Sequence, residues 1–275
     1  MNVLRYLSSC VLCVGLWGCG TDNRLGRDAA ATLLATTIRD YAARSADQVA
    51  KACLDLEWTL PLVGSQDVAT AQTAWVRARL GYDHGAVLFK LVAPDLDALI
   101  DGEVDNPLSR TGLRKMEQPL FAKPTADALT LGYAAQALAA AAVRLPPAID
   151  DAQRTVDVGS FLGALAGMSV VTGVKLDGSD SPFANQSLQS AQANLDGIAA
   201  LYEPLSPLVH DVDAALDDEI HGLLAGLLGQ LQGVTMTEQV KDKSLFLRRS
   251  AALGQAFLRV GPVLGQSVAA VVDVT

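Results

Sequence analysis

The sequence has few aromatic residues, few charged residues and no segment in which apolar and polar side chains alternate with a period of two. Phe, Trp and Tyr make up 5% of the 275 residues, whereas 50% of the residues are hydrophobic. This apolar content is mostly Ala, Leu and Val in long segments, which is typical of helical bundles and not of β-sandwiches. We therefore expect an all-α fold, an up-and-down helical bundle or two stacked bundles.

The N-terminus, MNVLRYLSSCVLCVGLWGCG, indicates export. One positive residue, Arg5, precedes an apolar run over residues 7–17 and then small residues; this order is typical of a signal peptide. The ending LWGC resembles the lipobox of bacterial lipoproteins. The resemblance implies a signal peptide over 1–18, lipidation of Cys19 and a tether over 19–27, followed by a helical domain over 28–275. An ordinary signal peptide and a short retained anchor are the alternatives.

No later segment offers about 20 uninterrupted apolar residues, the length that crosses a bilayer. The lipid alone is therefore expected to hold the mature chain at the membrane, facing the periplasm. Gly20, in place of Asp at the second mature position, favours the outer membrane over the inner one.

Cysteine is scarce as well, which excludes a disulfide framework. Cys10 and Cys13 would leave with the signal peptide and Cys19 would carry the lipid, so only Cys53 remains. A single thiol cannot form an intramolecular disulfide. Cys53 stands among apolar residues, and we expect it to be buried and inert.

Positive charge is also under-represented. The formal net charge is −9, and an acidic surface repels nucleic acid and anionic lipid while attracting cations. We therefore expect no nucleic-acid partner.

Apolar residues recur at helical spacing through most of the chain. Helix stops are indicated at Pro61 and Pro146-Pro147, and a helix start is indicated at Asn106-Pro107. Glycines at 159, 163, 167 and 173 predict close contacts between helices, and the acidic stretch from Ala93 to Pro107 predicts a solvated connector with room for one helical turn. The predicted helices span residues 28–56, 66–91, 106–119, 125–145, 150–174, 184–202, 209–231 and 238–272.

Four segments carry a resemblance to a known family. They are AWVRARLGYDHGAVLF (74–89), GLRKMEQPLF (112–121), GSDSPFANQSLQSAQANLDG (178–197) and RRSAALGQAFLRVGPVLGQSVAAVV (248–272). Together they resemble the imelysin-like (EfeO-like) family, which includes a periplasmic iron-uptake component and proteins catalogued as peptidases. The resemblance implies a helical fold and a metal site.

The departures from the family pattern fall on the implied metal ligands. Arg114 stands at the first histidine, Asn185 and Ser187 stand at a later histidine and aspartate, and Ala86 stands at a glutamate. A guanidinium has no lone pair to donate to a metal. Glu117 and the nearby carboxylate Asp83 remain, but two carboxylates beside an arginine would hold a divalent ion poorly. The metal-binding motif is thus degenerate, and we expect no metal, no other cofactor and no catalytic residue.

Two interpretations of Arg114 stay open. In one, Arg114 replaces the metal and pairs with Glu117, three residues along the helix, and with Asp83 from a neighbouring helix. In the other, the altered pocket binds an anionic ligand or sugar acid through charge-assisted hydrogen bonds. The candidate binding residues are Asp83, Arg114, Glu117, Asn185, Ser187 and Asn194.

The function expected on these grounds is that of a lipid-anchored binding or accessory protein without enzymatic activity. The resemblance implies a partner in the uptake of iron or another metal. The alternatives are a binder of small anions or sugar acids and an imelysin-type metallopeptidase. His221, which follows Asp217 and Asp218, is interpreted as part of an exposed acidic helix face rather than as a metal ligand.

Overall fold

The computed structural model describes residues 23–37, 40–41, 43–60, 68–102, 112–122, 128–152 and 156–268. Cys19, the signal peptide and the helix start at Asn106-Pro107 lie outside the described residues. Helix α1 begins at Asn23, inside the segment assigned to the tether. The helices are α1 (Asn23–Thr37), α2 (Ala43–Thr59), α3 (Val68–Val92), α4 (Pro94–Ile100), α5 (Gly112–Phe121), α6 (Ala128–Ala142), α7 (Leu145–Ala152), α8 (Val158–Val174), α9 (Ser187–Tyr202), α10 (Ser206–Val212), α11 (Ala214–Leu231) and α12 (Lys243–Val263).

The described ranges contain helices, turns and irregular segments and no strand, which confirms the all-α prediction. Helix α3 lies near the centre, in contact with α2, α9, α8 and α5, and α8 packs along α12. Residues on nearly every side of α3 are buried, including Trp75, Tyr82 and Phe89. A single apolar core runs through the described part of the molecule.

One of the predicted long helices is interrupted, because 209–231 forms α10 and α11. Within the predicted helix 28–56, α1 and α2 are helical, and part of the segment between them lies outside the described residues. Asp213 separates α10 from α11, and its side chain caps α11 by accepting a hydrogen bond from the backbone N–H of Leu216. Pro146 and Pro147 begin α7 rather than only ending α6, because the first turn of a helix does not need their missing N–H groups.

The described part of the acidic stretch after α3, residues 93–102, is not a solvated connector, so the prediction is wrong for these residues. They include α4, and Asp97 and Asp101 are 8% and 6% exposed. Asp97 accepts hydrogen bonds from Tyr82 Oη and from Lys90 Nζ. Buried carboxylates need such partners, and the sequence pattern did not show where these would come from.

Glycine permits the tight contact between α8 and α12, as predicted for α8. A Cβ on Gly173 would lie 2.9 Å from Cβ of Ser250, and one on Gly254 would lie 2.9 Å from the carbonyl oxygen of Ala166. Residues 158–177 are long and apolar enough to cross a membrane by length and composition, but 67% of that window is buried in the molecule. This burial is typical of a core helix.

Cys53 is fully buried and forms no disulfide, as expected. Burial raises the pKa of its thiol to about 12. The thiolate, which is the reactive form, is therefore suppressed at neutral pH.

Candidate functional site

The site begins on α3, where Arg79 and Asp83 are one helical turn apart. Arg79 Nε lies 2.8 Å from Asp83 Oδ2, and Arg79 Nη2 lies 2.9 Å from Asp83 Oδ1. This two-point geometry matches the planar fork of a guanidinium to a carboxylate. Both side chains are almost fully buried.

A second carboxylate comes from the end of α4. Asp101 Oδ1 accepts hydrogen bonds from Arg79 Nη1 at 2.6 Å and from Arg114 Nε at 3.2 Å. Arg114 lies in the first turn of α5, and its backbone N–H also faces the carbonyl oxygen of Asp101 at 3.4 Å. One carboxylate thus joins arginines from two helices.

The third carboxylate comes from the loop between α8 and α9. Asp180 accepts hydrogen bonds from Arg114 Nη2 at 2.6 Å, from Lys175 Nζ at 3.0 Å and from Arg79 Nη2 at 3.2 Å. Lys175 Nζ is also 2.9 Å from Asp83 Oδ1. We call these six side chains the charge cluster. Its members are Arg79, Arg114, Lys175, Asp83, Asp101 and Asp180.

The charge cluster is electrically balanced, with three cations and three carboxylates. Burial opposes ionisation of Asp180, but attraction by Arg79, Lys175 and Arg114 outweighs it and holds the pKa of Asp180 far below its usual range. Burial likewise opposes ionisation of Asp101, and Arg79 and Arg114 nevertheless lower its pKa. All three carboxylates have cations at hydrogen-bond distance, so the cluster is an internal salt-bridge network.

Glu117 lies beside this network and has a different role. Its Oε1 accepts hydrogen bonds from Ser181 Oγ at 2.8 Å and from the backbone N–H groups of Phe183 and Ala184 at 3.0 and 2.9 Å. The N–H of Ser181 in turn donates to Ser187 Oγ at 3.0 Å. Glu117 therefore holds the loop that carries Asp180.

The predicted partners of Arg114 are wrong. Its side chain contacts Asp101 and Asp180 instead of Glu117 and Asp83. The reason is that Asp83 is already held by Arg79 and Lys175, whereas Glu117 is satisfied by one hydroxyl and two backbone amides. Arg114 does remain buried, at 8% exposure.

The other candidate residues do not share one polar pocket. Asn185 is exposed, in a turn where its φ is 55°. Ser187 is buried and bonded to the loop. Asn194 is 1% exposed, and neither its Oδ1 nor its Nδ2 has a hydrogen-bond partner among the described residues. Of the predicted residues, Asp83 and Arg114 belong to the charge cluster. Glu117, Asn185 and Ser187 contact or belong to the loop that carries Asp180, and Asn194 is buried on α9.

Sequence reasoning did not select Arg79, Asp101 or Lys175. One signal was available for Arg79: it lies four residues before Asp83, on a helix whose neighbouring positions at Trp75 and Tyr82 are apolar. An i, i+4 ion pair inside an apolar face indicates a buried network.

Comparison with known proteins identifies the family. The imelysin family model, Peptidase_M75, matches residues 25–246. The chain belongs to the imelysin family. A crystal structure of an imelysin-like protein from Psychrobacter arcticum 273-4 has a TM-score of 0.66 to this chain at 14% sequence identity, and the match covers 88% of this chain and 98% of that protein. At that identity the likeness shows the shared fold alone. No curated protein matches the chain.

The charge cluster does not fit a metal ion. The residues that the structure describes contain no group of three or more His, Cys, Asp or Glu side chains arranged to hold one. A divalent cation would need the same carboxylate oxygens that Arg79, Arg114 and Lys175 now occupy, and it would meet three positive charges in a buried space.

A second polar group surrounds Asp217 on α11. Tyr202 Oη donates to Asp217 Oδ1 at 2.7 Å, and His210 Nδ1 lies 3.2 Å from Oδ2. His221 Nε2 is 3.6 Å from Oδ1 and 3.0 Å from Ser206 Oγ. Because Asp217 is only 5% exposed, the interpretation of this face as an exposed acidic surface is wrong for Asp217. The group joins α9, α10 and α11.

Proposed function

We propose that this protein is a lipid-anchored, exported imelysin-family member that acts by binding a partner and not by metal catalysis. The observation that supports the proposal most is that side-chain cations hold every carboxylate of the charge cluster. A metal-dependent peptidase needs an ion to activate its water, and in the charge cluster Arg79, Arg114 and Lys175 occupy the carboxylate oxygens that such an ion would need. The matching family model is nevertheless named as a peptidase, so the enzymatic alternative must be tested directly.

We also propose a link to metal uptake, because the family that the sequence resembles includes a periplasmic iron-uptake component. In this proposal the chain acts as an accessory component, and its surface meets a partner of an uptake system for iron or another metal. The anion-binding alternative is less well supported, because an incoming carboxylate would have to displace Asp180 from three cations. In this proposal the buried charge cluster stabilises the fold, and the outer surface binds the partner.

Metal content and metal affinity test the loss of the site. The full chain and an Arg114→His variant would be purified and analysed by plasma mass spectrometry and by titration calorimetry with Zn²⁺, Fe²⁺ and Cu²⁺. We expect stoichiometric metal in neither protein, because Arg79 and Lys175 still hold Asp83 and Asp180 after the substitution. Stoichiometric, chelator-sensitive metal in the wild type would overturn the proposal. Binding by the variant alone would show that Arg114 is the only barrier.

A peptidase assay addresses the enzymatic alternative. The same preparations would be incubated with a casein substrate and with a peptide library, with and without a chelator. We expect no cleavage above the background of a mock purification. Chelator-sensitive cleavage that copurifies with the wild-type chain would contradict the non-catalytic proposal.

Labelling with a radioactive fatty acid tests the anchor. Cys19→Ala is expected to abolish incorporation and to release the chain from membranes. Cys53→Ala is the matched control, because Cys53 is buried and its thiol is un-ionised at neutral pH. Labelling that survives Cys19→Ala would rule out lipidation at this position.

A further inference from the structure

The most exposed of the large apolar side chains in the described part of the molecule is Trp58, near the end of α2. Its exposure is 78%, and Leu129 and Tyr133 on α6 follow at 68% and 67%. Exposed aromatic residues that lie together on a monomer indicate a binding surface more often than chance placement does. The residues around Trp58 indicate which class of ligand it would bind.

Trp58 borders two concave surfaces that differ in polarity. The first, of about 540 Å³, lies between α2 and α3 and is lined by Asp55, Thr73 and Arg77 among others. The second, of about 660 Å³, lies between α2 and α6 and is lined by Leu54, Glu57, Leu129, Tyr133 and Gln136. The indole thus forms a ridge, with a polar surface on one side and a mainly apolar surface on the other.

Gly132 adds an independent observation. It lies in the middle of α6 and lines the second surface. A Cβ there would meet no atom within 4 Å, so packing inside the fold does not require glycine. Glycine inside a helix costs about 1 kcal/mol relative to alanine. Its presence leaves the floor between Leu129 and Tyr133 open to an approaching ligand.

We propose that Trp58 and Tyr133 form a binding site for an uncharged oligosaccharide. The C–H face of a sugar ring is attracted to the electron-rich face of an aromatic ring. Sugar hydroxyls both donate and accept hydrogen bonds, and the rims of the two surfaces offer both kinds of partner. Arg77 and Gln136 would donate to these hydroxyls, and Asp55 and Glu57 would accept from them.

The charges of the two surfaces argue against other classes of ligand. Among the described residues that line the two surfaces, Asp55 and Glu57 outnumber the single cation Arg77, and the whole chain has a formal net charge of −9. Anionic lipid and nucleic acid are recognised by clusters of Lys and Arg. An uncharged chain of sugar rings carries no charge for these carboxylates to repel. This site is separate from the charge cluster and does not depend on the fate of the metal motif.

Titration of the full chain with chitotetraose, cellotetraose and maltotetraose tests the proposal. Calorimetry would measure the affinity, and tryptophan fluorescence would report on Trp58. We expect at least one of these neutral oligosaccharides to bind. Trp58→Ala and Tyr133→Ala should each weaken binding roughly tenfold, the effect of losing about 1.4 kcal/mol of aromatic stacking. Gly132→Leu should also weaken binding, because the leucine side chain would fill the space between Leu129 and Tyr133.

Phe183→Ala is the matched control, since Phe183 is a 41% exposed aromatic residue that lines neither surface. It should leave binding unchanged. Circular dichroism would verify that every variant keeps its helix content. Absence of binding by all three sugars at millimolar concentration, or equal binding by wild type and Trp58→Ala, would overturn the proposal. A dimer in sedimentation that Trp58→Ala dissociates would assign the surface to a second copy and overturn it as well.

Discussion

Arg79 is the residue on which the charge cluster depends most. Its Nε, Nη1 and Nη2 reach Asp83, Asp101 and Asp180, which lie on three separate segments of the chain. A metal ion can join several carboxylates because it accepts ligands from many directions. A guanidinium achieves part of this with five N–H donors in a fixed plane and keeps its charge at any accessible pH. Arg79 therefore serves as a structural link between these three segments.

Replacing Arg79 by methionine tests this role. The variant keeps much of the side-chain volume but leaves three buried carboxylates short of a partner. Breaking a buried ion pair from one side costs about 3–5 kcal/mol, and we expect a loss of that size in the free energy of unfolding. Urea denaturation followed by circular dichroism would measure it.

Arg259→Met is the control for this experiment. Arg259 Nη2 lies 2.5 Å from Glu219 Oε1, but both side chains are largely exposed to solvent. Exposed pairs contribute about 0–1 kcal/mol, so this variant should unfold almost like the wild type. If both substitutions cost the same, burial of the charge cluster would not be what makes Arg79 important.

At the level of single residues, the sequence predicted that Arg114 pairs with carboxylates but not which carboxylates it would meet. The identity of Arg114 excludes metal ligation by chemistry alone. Its partners depend on how α4 and the loop with Asp180 approach α5, and these approaches depend on packing across distant parts of the chain. Asp101 was missed for that reason, since an acidic stretch looks solvated until its partners are placed.

Among the helices, one close approach that shapes the site is between α3 and α9. A Cβ on Gly197 would lie 2.2 Å from the carbonyl oxygen of His84. Only glycine lets the two backbones come this close, and α3 carries Arg79 and Asp83 within about one and a half turns of His84. The glycine therefore fixes how α9 and the preceding loop sit on the charge cluster.

Gly197→Ala should separate α3 from α9 and destabilise the protein. Forcing extra volume into a packed contact costs about 1–3 kcal/mol. Gly222→Ala on α11 is the matched control, because a Cβ there would meet nothing within 4 Å. Better helix propensity should make that variant more stable by up to about 1 kcal/mol. Thermal unfolding of both would show opposite shifts, and shifts of the same sign would contradict the close contact.

The sequence predicted which segments are helical, but it did not predict several of the helix boundaries. The 3.6-residue period and the absence of strand patterns predict an all-α fold because apolar faces must be buried. The break between α10 and α11 has no proline or glycine to announce it. The predicted helix 106–119 ends at Pro119, whereas Pro119 lies inside α5, which ends at Phe121. Tertiary contacts decide such details.

For the whole molecule, the charges at the surface and the charges of the buried cluster respond differently to salt. The formal net charge of −9 places excess carboxylates at the surface, while the charge cluster is neutral. The surface charge is screened by salt within about 10 Å at 0.1 M. The buried network is screened much less, so the two contributions to stability can be separated by ionic strength.

The pH dependence of unfolding should reveal the network. The pKa values of Asp101 and Asp180 are lowered in the folded protein, because nearby arginines and Lys175 outweigh the effect of burial. An aspartate in the unfolded chain titrates near about 3.9. The stabilisation from these two groups is therefore fully present above about pH 5, and it is lost as the pH falls below 4 towards their folded pKa values.

Asp180→Asn removes one of these titrating groups, so its free energy of unfolding should fall less steeply with acid than that of the wild type. Urea denaturation from pH 6 to pH 3 would measure both slopes, once in dilute buffer and once in molar salt. The slope caused by surface charge should shrink in salt, and the difference between the two proteins should persist because Asp180 is buried. Equal slopes in the two proteins would mean that Asp180 gains no proton-linked stabilisation from Arg79, Arg114 and Lys175.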